Sequence, residues 1–371
     1  MKLQAKRIAL LICLLSLPLA AQEPSLPPAT ISTLEKAITT FMSEHDVPGL
    51  SIAVVENGAL AWENGYGMAD LENFVPAKAS TVYRLASVSK PITATAIMQL
   101  YEQGKVDLDA PIQKYCPAFP EKPWPITTRE LLGHLGGIRW YQGDEWLSTR
   151  HYDSINDSLK TFAKDPLVAQ PGTKFTYTTY GYTVLGCVIE GASGETYVDY
   201  VEKNIFALAG MNHTQVDDVH KIIYNRAQGY QKSKTGEILN SDLSDTSYKI
   251  PGGGWVSTAG DVARFAIALE NGTLLKASTR ELMWTSQKTT DGKDTGYGLG
   301  WIVSNDSGLR IVGHEGGQQR VATAIVLVPE KKMAVAVLCN LEGAGPLEFA
   351  RQLLKMLAEV PPEAPTAGGP R

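Results

Sequence analysis

The sequence predicts an α/β (α+β) fold: an antiparallel sheet built from both chain ends and flanked by helices, with a mostly helical lobe inserted between them. Strand patterns occupy residues 50–66 and 297–338, whereas residues 103–248 carry mainly helical patterns separated by Pro- and Gly-containing loops. Such an order lets the two chain ends complete one sheet. With 371 residues, 44% of them hydrophobic and 20% charged, the chain can bury a large core and has a globular composition.

Residues 1–21 have the pattern of a secretory signal peptide. Three basic residues precede an apolar run over residues 8–19, which ends at the small residues Ala20 and Ala21. Because this run is too short to span a bilayer comfortably, we expect a periplasmic or secreted protein with no stable membrane span after cleavage. Removing the three positive charges takes the formal net charge from −5 to −8, and so acidic a chain argues against nucleic acid as a partner.

The remaining chain predicts a single catalytic domain over residues 33–360. The Pro-rich residues 22–32 predict a loose linker before it, and the Pro- and Gly-rich residues 361–371 predict a disordered tail. No internal repeat is visible. The chain is therefore expected to consist of one folded unit with flexible ends.

Two lobes are predicted inside the domain: an α/β lobe over about residues 33–86 and 252–360, and a helical lobe over about residues 87–251. Hydrophobic period, capping residues and turn residues define the elements. Besides the helix that follows Ser87, the predicted helices are 36–45 with Thr33 as N-cap, 127–135, 181–191 continuing past 197, 258–269 and 347–357. The predicted strands are 50–55 and 59–66 joined through Asn57-Gly58, the hairpin 227–231 and 237–240, and then 297–303, 309–313, 322–328 and 333–338.

Ser87 and Lys90 lie three residues apart at the start of an almost wholly apolar run, which predicts a buried helix with both side chains on one face of its first turn. A serine hydroxyl becomes a good nucleophile when a neighbouring base takes its proton, and a desolvated lysine can be that base. The Ser-Lys pair is an alternative to the Ser-His-Asp triad. On its own, S-x-x-K is common enough that an ordinary core helix with a polar entry is the favoured interpretation.

Tyr177 precedes a predicted helix, and His314 lies in the sequence GHEGG at the end of a predicted strand. A tyrosine beside a lysine can move a proton between nucleophile and leaving group. The HEGG stretch is not the zinc motif H-E-x-x-H, because position 318 is Gln. The six histidines show no other metal-ligand spacing, so neither a metal nor a cofactor is predicted.

Cysteine usage leaves the redox state open. Cys116, Cys187 and Cys339 remain after removal of the signal peptide, widely spaced and without a C-x-x-C motif. At most one disulfide is possible, and three buried thiols are the favoured interpretation.

Three motifs together resemble the serine beta-lactamase and penicillin-binding superfamily, on its class C-like, esterase-containing branch. They are S-V-S-K at 87–90, Y-T-T at 177–179 and H-E-G-G at 314–317, in the order and approximate separation of that branch. Supporting stretches are ITTRELLGHLGGI, IFALAGMNHT and PGGGWVSTAGDVARF, so the resemblance covers roughly residues 34–357. HLGGIRWY, DTSYKIPGGGWVST and Thr179, which replaces the asparagine of class C enzymes, resemble a subgroup of mitochondrial and bacterial serine beta-lactamase-like proteins.

The resemblance implies a beta-lactamase/transpeptidase-like fold and assigns the catalytic roles. Ser87 would be the nucleophile, and Lys90 and Tyr177 its proton-transfer partners. Backbone N–H groups of Ser87 and Gly317 would form the oxyanion hole.

Thr179, His314 and Gly316 are the candidate substrate-binding residues. His314 stands where many beta-lactamases and penicillin-binding proteins carry lysine, and an imidazole with an ordinary pKa of about 6.5 is mostly neutral at pH 7. We therefore expect weak recognition of a substrate carboxylate at neutral pH, and any beta-lactam hydrolysis to improve as His314 becomes protonated. Glu315 would repel an anionic substrate further, whereas Arg320 would offset this repulsion if it points into the pocket.

Lys234 and His134 lie in motif-like stretches but are expected to be structural. Lys234-Thr235-Gly236 is a literal K-T-G, the third motif of the superfamily, but it follows Tyr177 too closely and lies in a polar hairpin turn. His134 is expected to hydrogen-bond backbone groups, as buried polar side chains must.

The predicted function is that of a serine hydrolase that forms an acyl-enzyme on Ser87 and cleaves an ester, peptide or amide bond. The alternatives are a true beta-lactamase or D-Ala-D-Ala-type carboxypeptidase, and a non-catalytic peptide- or acyl-binding protein. All three catalytic side chains are present, which favours an enzyme. The expected partner is a small-molecule or peptide substrate, and the oligomeric state is left open.

Overall fold

The computed structural model describes residues 26–306 and 308–359. The predicted signal peptide, residues 22–25 of the predicted linker and the predicted tail lie outside the described residues. No helix in the described ranges is long and apolar enough to cross a membrane.

Helices and short strands alternate along the chain, with the long strands near its two ends. The helices are α1 Pro28–His45, α2 Ser89–Glu102, α3 Thr128–Leu132, α4 Ile155–Leu159, α5 Tyr180–Ser193, α6 Tyr197–Val201, α7 Ala207–Ala209, α8 Ile250–Gly253, α9 Ala259–Glu270, α10 Ala277–Met283 and α11 Pro346–Glu359. The strands are β1 Gly49–Glu56, β2 Ala59–Asp70, β3 Val75–Pro76, β4 Tyr83–Arg84, β5 Gln215–Val216, β6 Tyr230–Lys232, β7 Ile238–Asn240, β8 Trp255–Ser257, β9 Ile302–Asp306, β10 Leu309–Gln318, β11 Val321–Val328 and β12 Met333–Cys339.

A seven-stranded antiparallel sheet is the centre of the molecule, with strand order β3-β2-β1-β12-β11-β10-β9. β1 pairs with β12 so that Leu50 lies opposite Cys339, which makes strands from the two chain ends neighbours. The turn between β1 and β2 uses left-handed conformations at Asn57 and Gly58, as the predicted hairpin requires. The predicted fold class is confirmed.

Apolar side chains cover both faces of the sheet. On one face α1 and α11 pack together, and the rings of Phe41 and Phe349 stack with centroids 4.2 Å apart. The other face joins a larger core that includes α2, α5 and α9. Residues 89–100 of α2 are all buried, which explains why this helix has no polar face in the sequence.

Three element predictions need correction. α1 begins at Pro28 inside the predicted linker, because proline is well tolerated at the first helical position, and Thr33 lies within the helix rather than at its cap. α5 ends at Ser193, where Gly194 adopts a left-handed conformation, and α6 starts anew with Thr196 as its N-cap. The strand predicted at 297–303 begins only at Ile302.

A disulfide joins Cys116 and Cys187, so the prediction of three buried thiols is wrong; Cys339 is the free, buried cysteine. Folding brings α5 against the segment around Tyr115, although the two cysteines are 71 residues apart. Gly191, one helical turn after Cys187, permits this approach, because a Cβ there would lie 1.7 Å from the Tyr115 carbonyl oxygen. Sequence spacing alone carries no sign of this contact.

Candidate active site

Ser87 lies in a 3₁₀ turn, Ala86–Val88, that leads directly into α2. Ala86 has φ 48°, a left-handed conformation that costs of order 1–3 kcal/mol for a residue with a side chain. Hydrogen bonds of Leu85 hold the turn: its N–H donates to the backbone of β8 at 2.8 Å, and its carbonyl accepts from the Thr323 hydroxyl at 2.8 Å. The strained turn leaves Ser87 half-buried at the wall of a cavity.

Lys90 places its amine directly against the predicted nucleophile. Its Nζ lies 2.8 Å from Ser87 Oγ, 3.0 Å from the Gly252 carbonyl oxygen and 3.4 Å from Thr179 Oγ1. The side chain is fully buried, and this desolvation, with the positive charge of Lys249 as a second cause, holds the pKa of Lys90 well below its usual value. A lysine in this environment is suited to accept a proton from Ser87.

Tyr177 completes the contact with the serine. Burial raises the pKa of Tyr177, an interaction with the Ser87 side chain offsets part of this rise, and the phenol stays protonated. Lys90 Nζ lies 4.8 Å from the centroid of the Tyr177 ring. The three predicted catalytic side chains are therefore brought together.

His134 packs against the ring of Tyr177. Its ring centroid lies 4.2 Å from that of Tyr177, and its Nδ1 accepts a hydrogen bond from the Thr178 N–H at 3.2 Å. Burial, followed by the charge of Lys90, keeps the pKa of His134 well below its usual value. The predicted hydrogen bonding of His134 to backbone is confirmed.

His314 lies within β10, not at its end, and is 1% exposed. Its Nδ1 donates to the Glu315 carbonyl oxygen at 2.6 Å, so its Nε2 accepts from the Tyr297 hydroxyl at 2.8 Å. Burial, with the charge of Lys90 as a second cause, lowers the pKa of His314 to about 3. The expectation that protonation of His314 assists beta-lactam hydrolysis near neutral pH is therefore wrong, because the ring stays neutral there.

Gly316 and Gly317 occupy the same strand but face different surroundings. A Cβ at Gly316 would lie 2.3 Å from Thr323 Oγ1 and 2.4 Å from the Leu85 carbonyl oxygen. A Cβ at Gly317 would meet nothing within 4 Å. Glycine at 316 thus permits β10 to pass close to the segment that carries Ser87.

Thr179 is 4% exposed and does not line the cavity. Its hydroxyl contacts Lys90. The geometry therefore connects Thr179 to Lys90, and its part in substrate binding stays a prediction.

A cavity of about 610 Å³ opens in front of Ser87. Aromatic side chains dominate its wall: Trp140, Trp146, Phe175, Tyr177 and Tyr297. Among the lining residues, all of them within the described ranges, Glu315 is the one charged side chain. Arg320 is not part of the wall; it packs against Gly229.

Sequence reasoning missed Lys249, a second buried lysine. Its Nζ lies 4.6 Å from the Trp146 ring centroid, 5.2 Å from that of Tyr248 and 5.6 Å from that of Tyr141. Burial lowers the pKa of Lys249 to about 7. The only sign in the sequence that Lys249 lies near the site is its position just before the PGGG stretch, which contacts Lys90 through Gly252.

Lys234 of the K-T-G stretch is exposed in the turn between β6 and β7 and does not line the cavity. The Ser233 and Thr235 hydroxyls hydrogen-bond each other at 2.8 Å in this turn. The K-T-G sequence is therefore far from a catalytic arrangement, as its position in the sequence predicts.

Comparison with known proteins identifies the class of protein. The family model described as Beta-lactamase matches residues 34–359, so the chain belongs to the beta-lactamase family of serine hydrolases. The predicted superfamily is confirmed.

Individual relatives make the placement more specific. The human protein named serine beta-lactamase-like protein LACTB, mitochondrial, is 29% identical, with 88% of this chain and 80% of that protein covered. A penicillin-binding protein of Bacillus subtilis is also 29% identical, with 87% of this chain and 74% of that protein covered. Among solved structures, the octameric penicillin-binding protein homologue from Pyrococcus abyssi matches with a TM-score of 0.77 and 31% identity, covering 88% of this chain and 77% of that one.

Proposed function

We propose that this protein cleaves an ester, peptide or amide bond through an acyl-enzyme on Ser87. The observation that carries the proposal is a fully buried Lys90, its pKa held well below the usual value, with Nζ 2.8 Å from Ser87 Oγ. A buried amine with a lowered pKa, already hydrogen-bonded to a half-buried hydroxyl, suits nucleophilic catalysis by serine. Relatives named as beta-lactamase-like and penicillin-binding proteins support the same class of reaction.

In the proposed reaction, Lys90 accepts the Ser87 proton as Oγ attacks the substrate carbonyl. Tyr177, which lies beside both side chains, donates its phenol proton to the leaving group and takes the proton held by Lys90. The N–H groups of Ser87 and Gly317 stabilise the oxyanion of the tetrahedral intermediate. Water then attacks the acyl-enzyme, Lys90 and Tyr177 accept its proton, and they deliver a proton to Ser87 Oγ as the acyl–oxygen bond breaks.

The cavity favours neutral substrates with apolar acyl groups. Its wall is mainly aromatic and its one charged side chain, Glu315, repels carboxylates. His314 is neutral and gives a carboxylate no positive charge. We therefore propose that neutral esters or uncharged peptide segments are better substrates than beta-lactams at pH 7.

The proposed location is the periplasm or the outside of the cell. The signal-peptide pattern of residues 1–21 supports it. The Cys116–Cys187 disulfide supports it independently, because disulfides persist mainly in oxidising compartments.

The test is covalent labelling with a fluorophosphonate, followed by intact-mass and peptide analysis of wild type, Ser87→Ala and Ser89→Ala. Ser89 is a matched control two residues away, since its buried hydroxyl has no hydrogen-bond partner among the described residues. We expect one adduct on the Ser87 peptide, lost in Ser87→Ala and kept in Ser89→Ala. An adduct that survives in Ser87→Ala contradicts the assignment of the nucleophile.

Turnover is then compared for an aryl ester, a short peptide and a chromogenic beta-lactam between about pH 5.5 and 8. We expect the ester to have the highest kcat/KM. The ratio of kcat/KM for the ester to kcat/KM for the beta-lactam should show no pH dependence caused by titration of His314. Beta-lactam hydrolysis as efficient as ester hydrolysis would establish the beta-lactamase alternative. Binding of these compounds with neither labelling nor turnover would establish the non-catalytic alternative.

A further inference from the structure

Folding brings together two histidines and an aspartate that are far apart in the sequence. His151, His220 and Asp245 each offer a ligand atom, and these atoms all lie within 4.8 Å of one another. His151 Nδ1 lies 2.8 Å from Asp245 Oδ2, and the two imidazole centroids are 5.2 Å apart. We infer that these three side chains form a binding site for a divalent transition metal ion, with Zn²⁺ as the best match to the ligands.

The carboxylate of this cluster is fixed before any ion binds. Asp245 is 3% exposed, its Oδ1 accepts a hydrogen bond from the Ser247 N–H at 2.8 Å, and its own N–H donates to the Ser148 carbonyl at 2.9 Å. Oδ2 is thereby held towards His151. A preformed, nearly buried carboxylate lowers the entropy cost of assembling a coordination shell.

The two histidine side chains can move to complete the coordination shell. Both are exposed, and within the described ranges the ring nitrogens of His220 form no hydrogen bond. Zn–N distances of about 2.0–2.1 Å place two ligands of one tetrahedral ion roughly 3.3 Å apart. Exposed imidazoles can close the remaining gap by rotation of their side chains.

The local charge attracts a cation. The Asp245 carboxylate lies 2.8 Å from His151 Nδ1, and the carboxylates of Asp218 and Asp153 act on the same imidazole. Lys221, 3.8 Å from Asp218, offsets only part of this negative charge. Two imidazoles and one carboxylate favour Zn²⁺, Cu²⁺ or Ni²⁺ over Mg²⁺ and Ca²⁺, which prefer oxygen ligands.

An ion here would connect three segments near the wall of the active-site cavity. His151 follows Trp146, which lines the cavity, on the same loop, and Asp245 precedes Lys249. The ion would therefore tether both segments to the loop that carries His220. The metal site itself does not depend on the proposed hydrolase activity, and its test uses metal affinity and thermal stability only.

The experiment uses the tag-free protein, freed of metal by chelation and dialysis, at about pH 7.5. Zn²⁺ is titrated by calorimetry against wild type, His220→Ala and His213→Ala. His213 is the matched control, because it is another exposed histidine beside a carboxylate, 3.8 Å from Asp261. We expect one tight site in wild type and in His213→Ala, weakened roughly tenfold or more in His220→Ala.

Two companion measurements sharpen the test. Zn²⁺ should raise the Tm of wild type by more than it raises the Tm of His220→Ala, because the folded wild type binds the ion more tightly. Mg²⁺ and Ca²⁺ should leave the Tm of both proteins unchanged.

Two results would overturn the site. One is a wild type that binds Zn²⁺ no better than His220→Ala. The other is an equal loss of affinity in His213→Ala, which would mean dispersed surface binding. Because the His220 ring forms no hydrogen bond to any part of the chain that the structure describes, the variant is expected to fold, and its metal-free Tm checks this.

Discussion

Substitution of Gly316 by alanine should damage catalysis through backbone displacement, whereas the same substitution at Gly317 should not. A Cβ at residue 316 would lie 2.4 Å from the Leu85 carbonyl oxygen and 3.0 Å from the Cβ of Ala86. To reach ordinary van der Waals separation, β10 must retreat by about 1 Å from the turn that carries Ser87. The N–H of Gly317, on the next residue, would move with it.

The size of the effect follows from the geometry. Oxyanion-hole donors act at about 2.7–3.1 Å, so a displacement of about 1 Å removes one donor and lowers kcat by roughly 100-fold. Overpacking at Gly316 should also reduce the free energy of unfolding by about 1–3 kcal/mol. Gly317→Ala keeps its N–H and meets nothing within 4 Å, so kcat should stay within about fivefold of wild type.

The assay is hydrolysis of a small aryl ester, with urea unfolding of each variant as the measure of fold. Near-native kcat in a folded Gly316→Ala variant would refute the reasoning about close approach. An equal loss of kcat in both variants would refute the expectation that alanine at residue 317 leaves the N–H in place as an oxyanion-hole donor.

Three further predictions concern Lys90 with Tyr177, the second buried lysine, Lys249, and the disulfide. Lys90→Ala and Tyr177→Phe should each lose most of kcat in a folded protein. The double variant should lose little more kcat than the more damaged single variant, because the two residues act as a unit. Additive losses in ester kinetics would argue against a shared network. Lys249→Met removes a positive charge that, after burial, lowers the pKa of Lys90. The pKa of Lys90 should rise, so the acid limb of the kcat/KM profile should move to higher pH. An acid limb that does not move would mean that the two amines do not interact. Cys116→Ala with Cys187→Ala should lower the free energy of unfolding by roughly 4 kcal/mol in urea titrations, as expected for a cross-link over 71 residues, and a loss below about 1 kcal/mol would indicate strain or residual structure.

Features with a local cause were predictable from the sequence. The spacing of Ser87 and Lys90, the Asn57-Gly58 turn and the helix starts predicted at residues 127 and 258 depend on residues within one or two turns of each other. The order of strand and helix patterns was enough to predict the fold class. Helix packing, strand pairing and turns then needed only to agree with these local preferences.

Features that depend on contacts between distant segments were not predictable. The strand pattern at 297–303 fails because Gly296 and Gly300 take left-handed conformations, the latter where a Cβ would lie 2.4 Å from Cβ of Ala94 in α2. The burial of Lys249 and of His314 likewise comes from other segments that close over them. A sequence pattern records which residues are apolar, but it does not record which distant element excludes water from a polar side chain.

Basic groups around Ser87 are buried together. Burial is the main cause that lowers the pKa of Lys90, His134 and His314, and a neighbouring positive charge adds to it: Lys249 for Lys90, and Lys90 for the two histidines. Burial and this repulsion both oppose positive charge in the resting site. In the proposed mechanism a positive charge arises on Lys90 only when it takes the Ser87 proton, at the step in which the oxyanion forms. The attraction between the two new charges is then present in the transition state and absent from the ground state, which is the condition for an interaction to accelerate the reaction and not merely to tighten binding.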